Sequence, residues 1–135
     1  MTENTYKLNF DYNIEENVKR VQDEIAEACV KYGRNPEEVT LMGVSKTQDV
    51  PAIERAYNAG IRLFGENRVQ ELVQKGDFFI SHNVPCHIIG SLQTNKVKYL
   101  PELTDTIQSV DSLKLAAEIE KQYGKAGKHC NICIE

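Results

Sequence analysis

Several features of exported, membrane-spanning or nucleic-acid-binding proteins are absent from this sequence. No apolar run approaches the roughly 20 residues of a transmembrane helix, and residues 1–12 are polar and mixed, unlike a signal peptide. The net charge is −4 and the basic residues are scattered, which argues against nucleic acid binding. The four cysteines are unevenly spaced, which without an export signal favours reduced thiols. We therefore expect a cytoplasmic protein with neither nucleic acid nor membrane among its partners.

The length and composition predict a single domain over residues 1–135. Hydrophobic residues make up 41% of the chain and charged residues 27%, as in an ordinary globular protein. A chain of this length is able to bury a substantial hydrophobic core.

The regular structure is predicted to begin with an amphipathic helix. Asn13 and Glu16 match a capping box, apolar residues recur behind them at helical spacing, and Gly33 ends the run. Short apolar runs then alternate with helical patterns, except that residues 76–83 are predicted to form a loop. Strands are predicted at 39–44, 61–64, 86–89, 106–110 and 129–134, with helices opening at Pro51, after Phe64, near Gln93, and at Asp111 or Ser112.

Strands that alternate with helices predict an α/β fold with a parallel sheet and right-handed crossovers. Five strands suit a small doubly wound domain, and they equally suit the first part of an eight-stranded barrel preceded by one helix. The ending favours the barrel, because a domain rarely finishes on an apolar strand without a helix to cover it. We therefore expect an incomplete (β/α)8 TIM-type barrel of about five βα units, in a truncated chain.

Lys46 is the first candidate site residue, because it follows the apolar run 39–44 by two positions. The carboxyl ends of strands are where α/β folds build ligand sites. Loss of hydration there would lower the pKa of the lysine, and a neutral amine forms Schiff bases with carbonyl compounds. From position alone, a lysine that points into water is the more common case. If the strand extends through Lys46, its side chain shares a face with Met42 and Val44, inside a barrel.

Polar residues also follow the second and third predicted strands. Asn67 comes where a helix begins, so its ordinary role would be helix capping or turn formation. His87 lies in an apolar strand, where a core histidine and a site neighbour are equally plausible. Ser91 and Asn95 are more typical of helix starts than of a binding site.

The motif His129-Cys130-x-x-Cys133 is compatible in composition with a metal site or a redox pair. In an extended strand, however, positions three apart point to opposite faces, which prevents chelation by both thiols. Redox pairs usually sit where a helix begins, and this pair does not. We therefore predict no metal site.

Four segments, taken together, resemble one protein family. They are Val-Ser-Lys-Thr at 44–47, Phe-Gly-Glu-Asn-Arg-Val-Gln-Glu at 64–71, His-Ile-Ile-Gly-Ser-Leu-Gln-Thr-Asn-Lys at 87–96 and Ile-Gln-Ser-Val-Asp-Ser at 107–112. In order and spacing they are similar to the pyridoxal phosphate homeostasis proteins, the YggS/PROSC family, across nearly the whole chain from Ile14 onward. Four motifs in register are far more specific than any one of them.

This resemblance implies a fold like the barrel domain of alanine racemase, with pyridoxal 5′-phosphate (PLP) as the cofactor. Lys46 matches the lysine that forms the Schiff base, Asn67 an asparagine close to the cofactor, and His87 a histidine on the strand below the site. Members of the family are regarded as PLP carriers or homeostasis regulators without established turnover, so no catalytic residue is expected. PLP-dependent apoenzymes are the implied protein partners.

The resemblance also implies further strands beyond residue 135, where backbone amides, a serine and an arginine hold the PLP phosphate. A barrel that lacks those strands has open edges, which predicts self-association. One competing hypothesis is an enzyme of the alanine racemase type, which needs a second acid/base residue, commonly a tyrosine. All six tyrosines fall in residues 1–12 or in predicted helices, and none ends a strand. Another is a binding module without a cofactor.

Overall fold

A computed structural model describes residues 13–135, which form a five-stranded parallel sheet with helices between the strands. The α-helices are α1 (Ile14–Lys31), α2 (Val50–Asn58), α3 (Val69–Ser81) and α4 (Leu113–Lys125). The strands are β1 (Gly43–Val44), β2 (Phe64–Glu66), β3 (Cys86–Ile88), β4 (Thr106–Val110) and β5 (Asn131–Ile134). Short 3₁₀ helices span Pro36–Glu38 and Thr94–Tyr99.

The first helix has the cap that its sequence predicts. The Asn13 side chain accepts a hydrogen bond from the Glu16 N–H at 3.0 Å, which satisfies one of the free donors of the first turn. At the other end, Gly33 adopts a φ of +65°, a left-handed conformation that glycine enters without steric cost. The capping box and the glycine stop together set the length of α1.

The strand order separates the two folds that the strand–helix alternation left open. The strands are arranged β1-β2-β3-β4-β5, in the order of the chain, and every neighbouring pair is parallel. A doubly wound sheet reverses direction at a switch point, and no reversal occurs among the strands of residues 13–135. Because right-handed crossovers that always advance in one direction keep to one face, the helices cover a single face of this sheet.

The hydrophobic core lies between that covered face and the helices. Phe64 of β2 packs against Phe79 of α3, with ring centroids 5.6 Å apart. Ile88 and Ile107 are fully buried on the next two strands, and Leu115 of α4 is almost fully buried above them. This layer holds the strands in register and leaves their carboxyl ends at one edge of the sheet.

The predicted loop at 76–83 is wrong, because α3 continues through Ser81. Phe78 and Phe79 are both buried on this helix. Gly76 lies inside the helix, where an added Cβ would lie 2.9 Å from Leu103 Cδ2, the tip of a flexible side chain. The apolar residues of this segment therefore belong to the buried side of a helix.

Strand bounds differ most at the start of the sheet. The predicted strand 39–44 is reduced to Gly43–Val44, and the predicted strand 61–64 lies at Phe64–Glu66. The Ile61 N–H is used by the turn that ends α2, where it donates to the Ala56 carbonyl at 3.1 Å, so the ladder begins later. The predicted helix at 93–100 is a 3₁₀ helix, and β5 begins at Asn131 instead of His129.

The two outer strands, β1 and β5, pair on one side only within residues 13–135. The exposed side chains of Ile132 and Ile134 lie on β5, and Val44 of β1 is half-exposed. In the same part of the chain, no helix combines the length and the apolar character that crossing a membrane requires.

Candidate functional site

Lys46 follows β1 at the carboxyl edge of the sheet, as the sequence predicts, and its side chain is exposed. The expected loss of hydration at this lysine is therefore wrong for residues 13–135. No side chain in that range hydrogen-bonds to or pairs with its ammonium group. The result is an accessible primary amine at the edge where parallel α/β folds bind ligands.

Asn67 follows β2 directly, and Lys46 comes two residues after the end of β1. The register pairs Val44 with Gly65, and the Ser45 N–H extends the ladder by donating to the Gly65 carbonyl at 2.9 Å. Lys46 lies in a turn and Asn67 in a bend, both beyond the carboxyl ends of neighbouring strands. Asn67 is not the helix cap suggested for it, since Arg68 is the N-cap residue of α3 and provides no side-chain cap.

Asn67 is enclosed by the turn that follows β3. A Cβ on Gly90 would lie 2.9 Å from Asn67 Cβ and 3.0 Å from its Cα. Glycine at position 90 therefore allows this turn to contact the backbone of Asn67. On the far side of Asn67, a groove of about 200 Å³ is lined by Arg68, Ser91, Gln93 and Lys96, among others. Asn95 is not part of its lining.

His87 lies on the face of the sheet opposite the helices. Phe64 and Glu66 point toward α3, and successive residues of a strand point to opposite faces, so Gly65 faces away from the helices. His87 is the register partner of Gly65 and therefore lies on the same face. There the half-buried His87 ring has its Nδ1 3.0 Å from Gln108 Nε2. Burial lowers the pKa of His87, so the ring is neutral at neutral pH, and its Nδ1 accepts this hydrogen bond from the Gln108 amide.

A buried ionic cluster, which the sequence analysis missed, lies beneath Lys46. Lys75 Nζ of α3 is 2.7 Å from Glu66 Oε1 and 2.9 Å from Glu71 Oε2. Glu66 is fully buried, and the side chain of Lys75 is 8% exposed. Ser45 Oγ donates to Glu66 Oε1 at 2.8 Å, which ties β1 to the cluster. The helical spacing of Glu71 and Lys75 was the available signal.

The pKa shifts in this cluster favour the ionised forms. Burial alone would lower the pKa of Lys75, but the hydrogen bonds to Glu66 and Glu71 outweigh it and raise that pKa. The bond from Lys75, followed by that from the Thr47 N–H, lowers the pKa of Glu71. These shifts favour the ammonium form of Lys75 and the carboxylate form of Glu71.

The four cysteines are free, and the thiols of Cys29 and Cys86 are buried. Burial, followed by the charge of Glu66, strongly raises the pKa of Cys86, so this thiol stays protonated. No group of His, Cys, Asp and Glu residues suited to a metal ion occurs in the described part, 13–135. Cys130 and Cys133 do not form such a group with His129.

Curated relatives match nearly all of this chain. A pyridoxal phosphate homeostasis protein of Haemophilus influenzae is 39% identical over 125 residues, which is 91% of this chain and 53% of the relative. Proteins of the same name from Aquifex aeolicus and Escherichia coli K12 are 40% and 42% identical, over 89% and 91% of this chain and 53% and 54% of theirs. By sequence, this chain is similar to the pyridoxal phosphate homeostasis proteins. It spans about half the length of the curated relatives it matches.

Solved structures are also similar to this chain. PipY of Synechococcus elongatus, with PLP bound, has a TM-score of 0.68 and 39% identity, over 81% of this chain and 52% of that one. A protein of unknown function from Bifidobacterium adolescentis has a TM-score of 0.80 and 34% identity, over 88% of this chain and 53% of that one. No protein-family model matches the chain.

Proposed function

We propose that this chain binds PLP through Lys46 Nζ and serves intracellular PLP homeostasis or carriage without catalytic turnover. The single observation that carries the proposal is the accessible amine of Lys46 at the carboxyl edge of a parallel sheet. The similarity to the pyridoxal phosphate homeostasis proteins supports it, as does the PLP bound to PipY. PLP supplies an aldehyde: the amine forms a C=N bond to the aldehyde carbon and one water leaves.

The residues present fit this attachment. The Lys46 side chain is free of ion pairs with any residue in 13–135, so its amine does not have to be released from a carboxylate before it reacts. Asn67 contributes amide donor and acceptor groups directly after β2. His87, which is neutral and hydrogen-bonded to Gln108, lies on the open face of the sheet. We assign Asn67 and His87 to cofactor binding, and neither to a proton-transfer step.

We further propose that residues 1–135 form one domain, the first part of a (β/α)8 barrel of the alanine racemase type. The unreversed strand order and the helices on one face support this architecture. The uncovered face would be the interior of the barrel, and Lys46, Asn67 and His87 would belong to its upper layers. PLP-dependent apoenzymes are the proposed recipients of the cofactor.

The open edges support a proposal of self-association. Within residues 13–135, both outer strands pair on one side only, and Ile134 is 86% exposed. Sedimentation velocity across a concentration series tests this expectation. A chain that stays monomeric at the highest concentration would contradict it, and an Ile134→Lys variant provides the matched comparison, because an added charge blocks edge pairing.

An alanine racemase-type enzyme finds less support. The tyrosines within 13–135 lie on or beside helices, and the hydroxyl of Tyr123 is already used as a donor to the Thr104 carbonyl at 2.7 Å. Tyr6 and Tyr12 lie outside the described residues. Without an acid/base group on the second face of the cofactor, we expect no sustained racemisation of alanine. Turnover that is lost in Lys46→Ala would favour the enzyme.

Trapping by borohydride tests the central proposal. The chain is mixed with PLP, the C=N bond is reduced, and the modified lysine is identified by mass spectrometry of peptides. We expect a yellow species and modification at Lys46. Lys114 is an exposed lysine on α4. The Lys114→Ala variant is the control, and PLP should modify its Lys46 as in the parent chain. Equal labelling of Lys46→Ala at another lysine would contradict the assignment.

A further inference from the structure

Both peptide groups that flank the Cα of Lys46 are hydrogen-bonded to side chains of α3. On one side, the Ser45 carbonyl accepts a bond from Lys75 Nζ at 2.9 Å. On the other side, the Thr47 N–H donates to Glu71 Oε2 at 2.8 Å. Because peptide groups are planar, fixing the two that flank a residue fixes its φ and ψ and the direction of its Cα–Cβ bond.

The same cluster anchors the segment from the strand side. The Ser45 N–H donates to the Gly65 carbonyl at 2.9 Å, and Ser45 Oγ donates to Glu66 Oε1 at 2.8 Å. Ser45 is 3% exposed, in contrast with the exposed residue that follows it. The backbone is thus held in the protein interior up to the point where the Lys46 side chain leaves it.

Thr47 has a conformation that needs such support. Its φ is +63°, in the left-handed region that β-branched residues rarely enter. The bond from its N–H to Glu71 and the bond from its Oγ1 to the Lys46 carbonyl, at 2.6 Å, hold it there. A strained turn directly after a reactive residue persists only where surrounding contacts hold it in place.

Lys75 also pairs with both acids of this cluster. It bridges Glu66 and Glu71 at 2.7 and 2.9 Å, so both acids already have a cationic partner. Among residues 13–135, no acid forms an ion pair with the Lys46 ammonium group. The cluster therefore orients the Lys46 backbone and leaves its amine unpaired.

We propose that Lys75 and Glu71 are positioning residues that direct Lys46 toward the open face for attack on an aldehyde. This inference rests on the proposed function, in which Lys46 forms the C=N bond. Lys75 and Glu71 do not touch the cofactor in this mechanism. They act through the peptide groups on either side of Lys46.

The test compares Lys75→Met, Lys75→Arg and Glu71→Met with the parent chain. For each variant, three quantities are measured: the rate constant for C=N formation with PLP, the fraction trapped on Lys46, and the hydrogen exchange of the Thr47 amide. Urea unfolding shows which variants are folded. Lys121→Met, an exposed substitution on α4, is the control.

We expect Lys75→Met and Glu71→Met to slow C=N formation at Lys46 by about tenfold, since misorientation of a reacting group lowers rates strongly. Lys75→Arg should recover part of the rate, because it keeps the charge and several donors. Hydrogen exchange at the Thr47 amide should accelerate in Glu71→Met. A role confined to stability would change the unfolding midpoint and leave the rate of the folded variant unchanged.

Each outcome discriminates between the two proposals. If Lys75→Met fails to fold, the rate of C=N formation in Glu71→Met tests the positioning role. This variant leaves the buried bond between Lys75 and Glu66 intact. Folded variants that label Lys46 at the parental rate would overturn the positioning role while the proposed function stands. A parent chain that is never labelled at Lys46 would overturn both.

Discussion

Lys75 Nζ lies 2.7 Å from Glu66 Oε1, in an ion pair whose two side chains are 8% and 0% exposed. Glu66 is the last residue of β2, and Lys75 lies in the middle of α3. Buried charges carry a large desolvation penalty, which this pair offsets with bonds to Ser45 and Glu71. The pair therefore couples the strand, the helix and the segment that carries Lys46.

Removing one partner of this pair should destabilise the chain. Lys75→Met leaves Glu66 buried without a cation, and such a loss costs about 3–5 kcal/mol. The double variant Glu66→Leu/Lys75→Met should regain much of the free energy of unfolding, because it removes both charges. Urea denaturation measures both values.

An exposed ion pair provides the control for that experiment. Lys128→Met breaks the bond to Glu102, whose side chain is 75% exposed, and should cost less than about 1 kcal/mol. If Lys75→Met lowered the free energy of unfolding as little as Lys128→Met, the buried pair would not stabilise the chain as expected.

The stability of the chain should depend on pH through Glu71 and Lys75. The pKa of Glu71 is lowered by Lys75, so its contribution is complete above the unfolded pKa, near 4.3, and is lost as the pH falls through the folded value. The pKa of Lys75 is raised, so its contribution is complete below about 10.4 and is lost as the pH rises through the folded value. The free energy of unfolding should therefore be highest between these limits.

Glu71→Gln isolates the acidic part of this dependence. The amide oxygen still accepts from the Thr47 N–H, but the side chain no longer titrates. Urea unfolding between pH about 3 and 6 should show a shallower loss of stability on acidification than in the parent chain. Identical slopes would mean that other carboxylates dominate the acid transition.

Gly90→Ala should displace Asn67. The new Cβ would lie 3.0 Å from the Asn67 Cα, a backbone atom that is less free to move than a side-chain tip. Overpacking of this kind costs typically about 1–3 kcal/mol, and the labelling of Lys46 by PLP should weaken with it. Urea unfolding and borohydride trapping measure the two effects.

Gly124→Ala is the matched glycine control. Gly124 lies in α4, has no positive φ, and has no atom within 4 Å of an added Cβ. Alanine should stabilise the helix there by up to about 1 kcal/mol. If Gly90→Ala behaved in the same way, the turn after β3 would be looser than the contact with Asn67 indicates.

Pyridoxal should bind this 135-residue chain almost as well as PLP. The resemblance assigns the phosphate ligands to strands six to eight, so the C=N bond would be the main attachment here. Titration of both ligands, followed by absorbance, compares the affinities. A strong preference for PLP would indicate an anion site within residues 1–135. In that case Lys96→Ala tests the groove beside Asn67, since Lys96 lines it.

The sequence by itself determined the α/β class, the cap of α1, the position of β4 and the similarity to the pyridoxal phosphate homeostasis proteins. These follow from local periodicity, capping residues and four motifs in register, each of which is readable within a short window. Lys46 was found in the same way, because it follows an apolar run by two positions. Its role as the PLP lysine stays a prediction.

Only the tertiary structure decided the order of the strands and the surroundings of Lys46. Gly76 lies close to Leu103, and the start of β2 depends on a bond between Ile61 and Ala56, neither of which a window along the chain reveals. The cluster joins Ser45, Glu66 and Lys75 across up to 30 positions of sequence. Contacts between residues so distant form only when packing brings α3 against β1 and β2. Their contribution to stability therefore cannot be read from any short segment of the sequence.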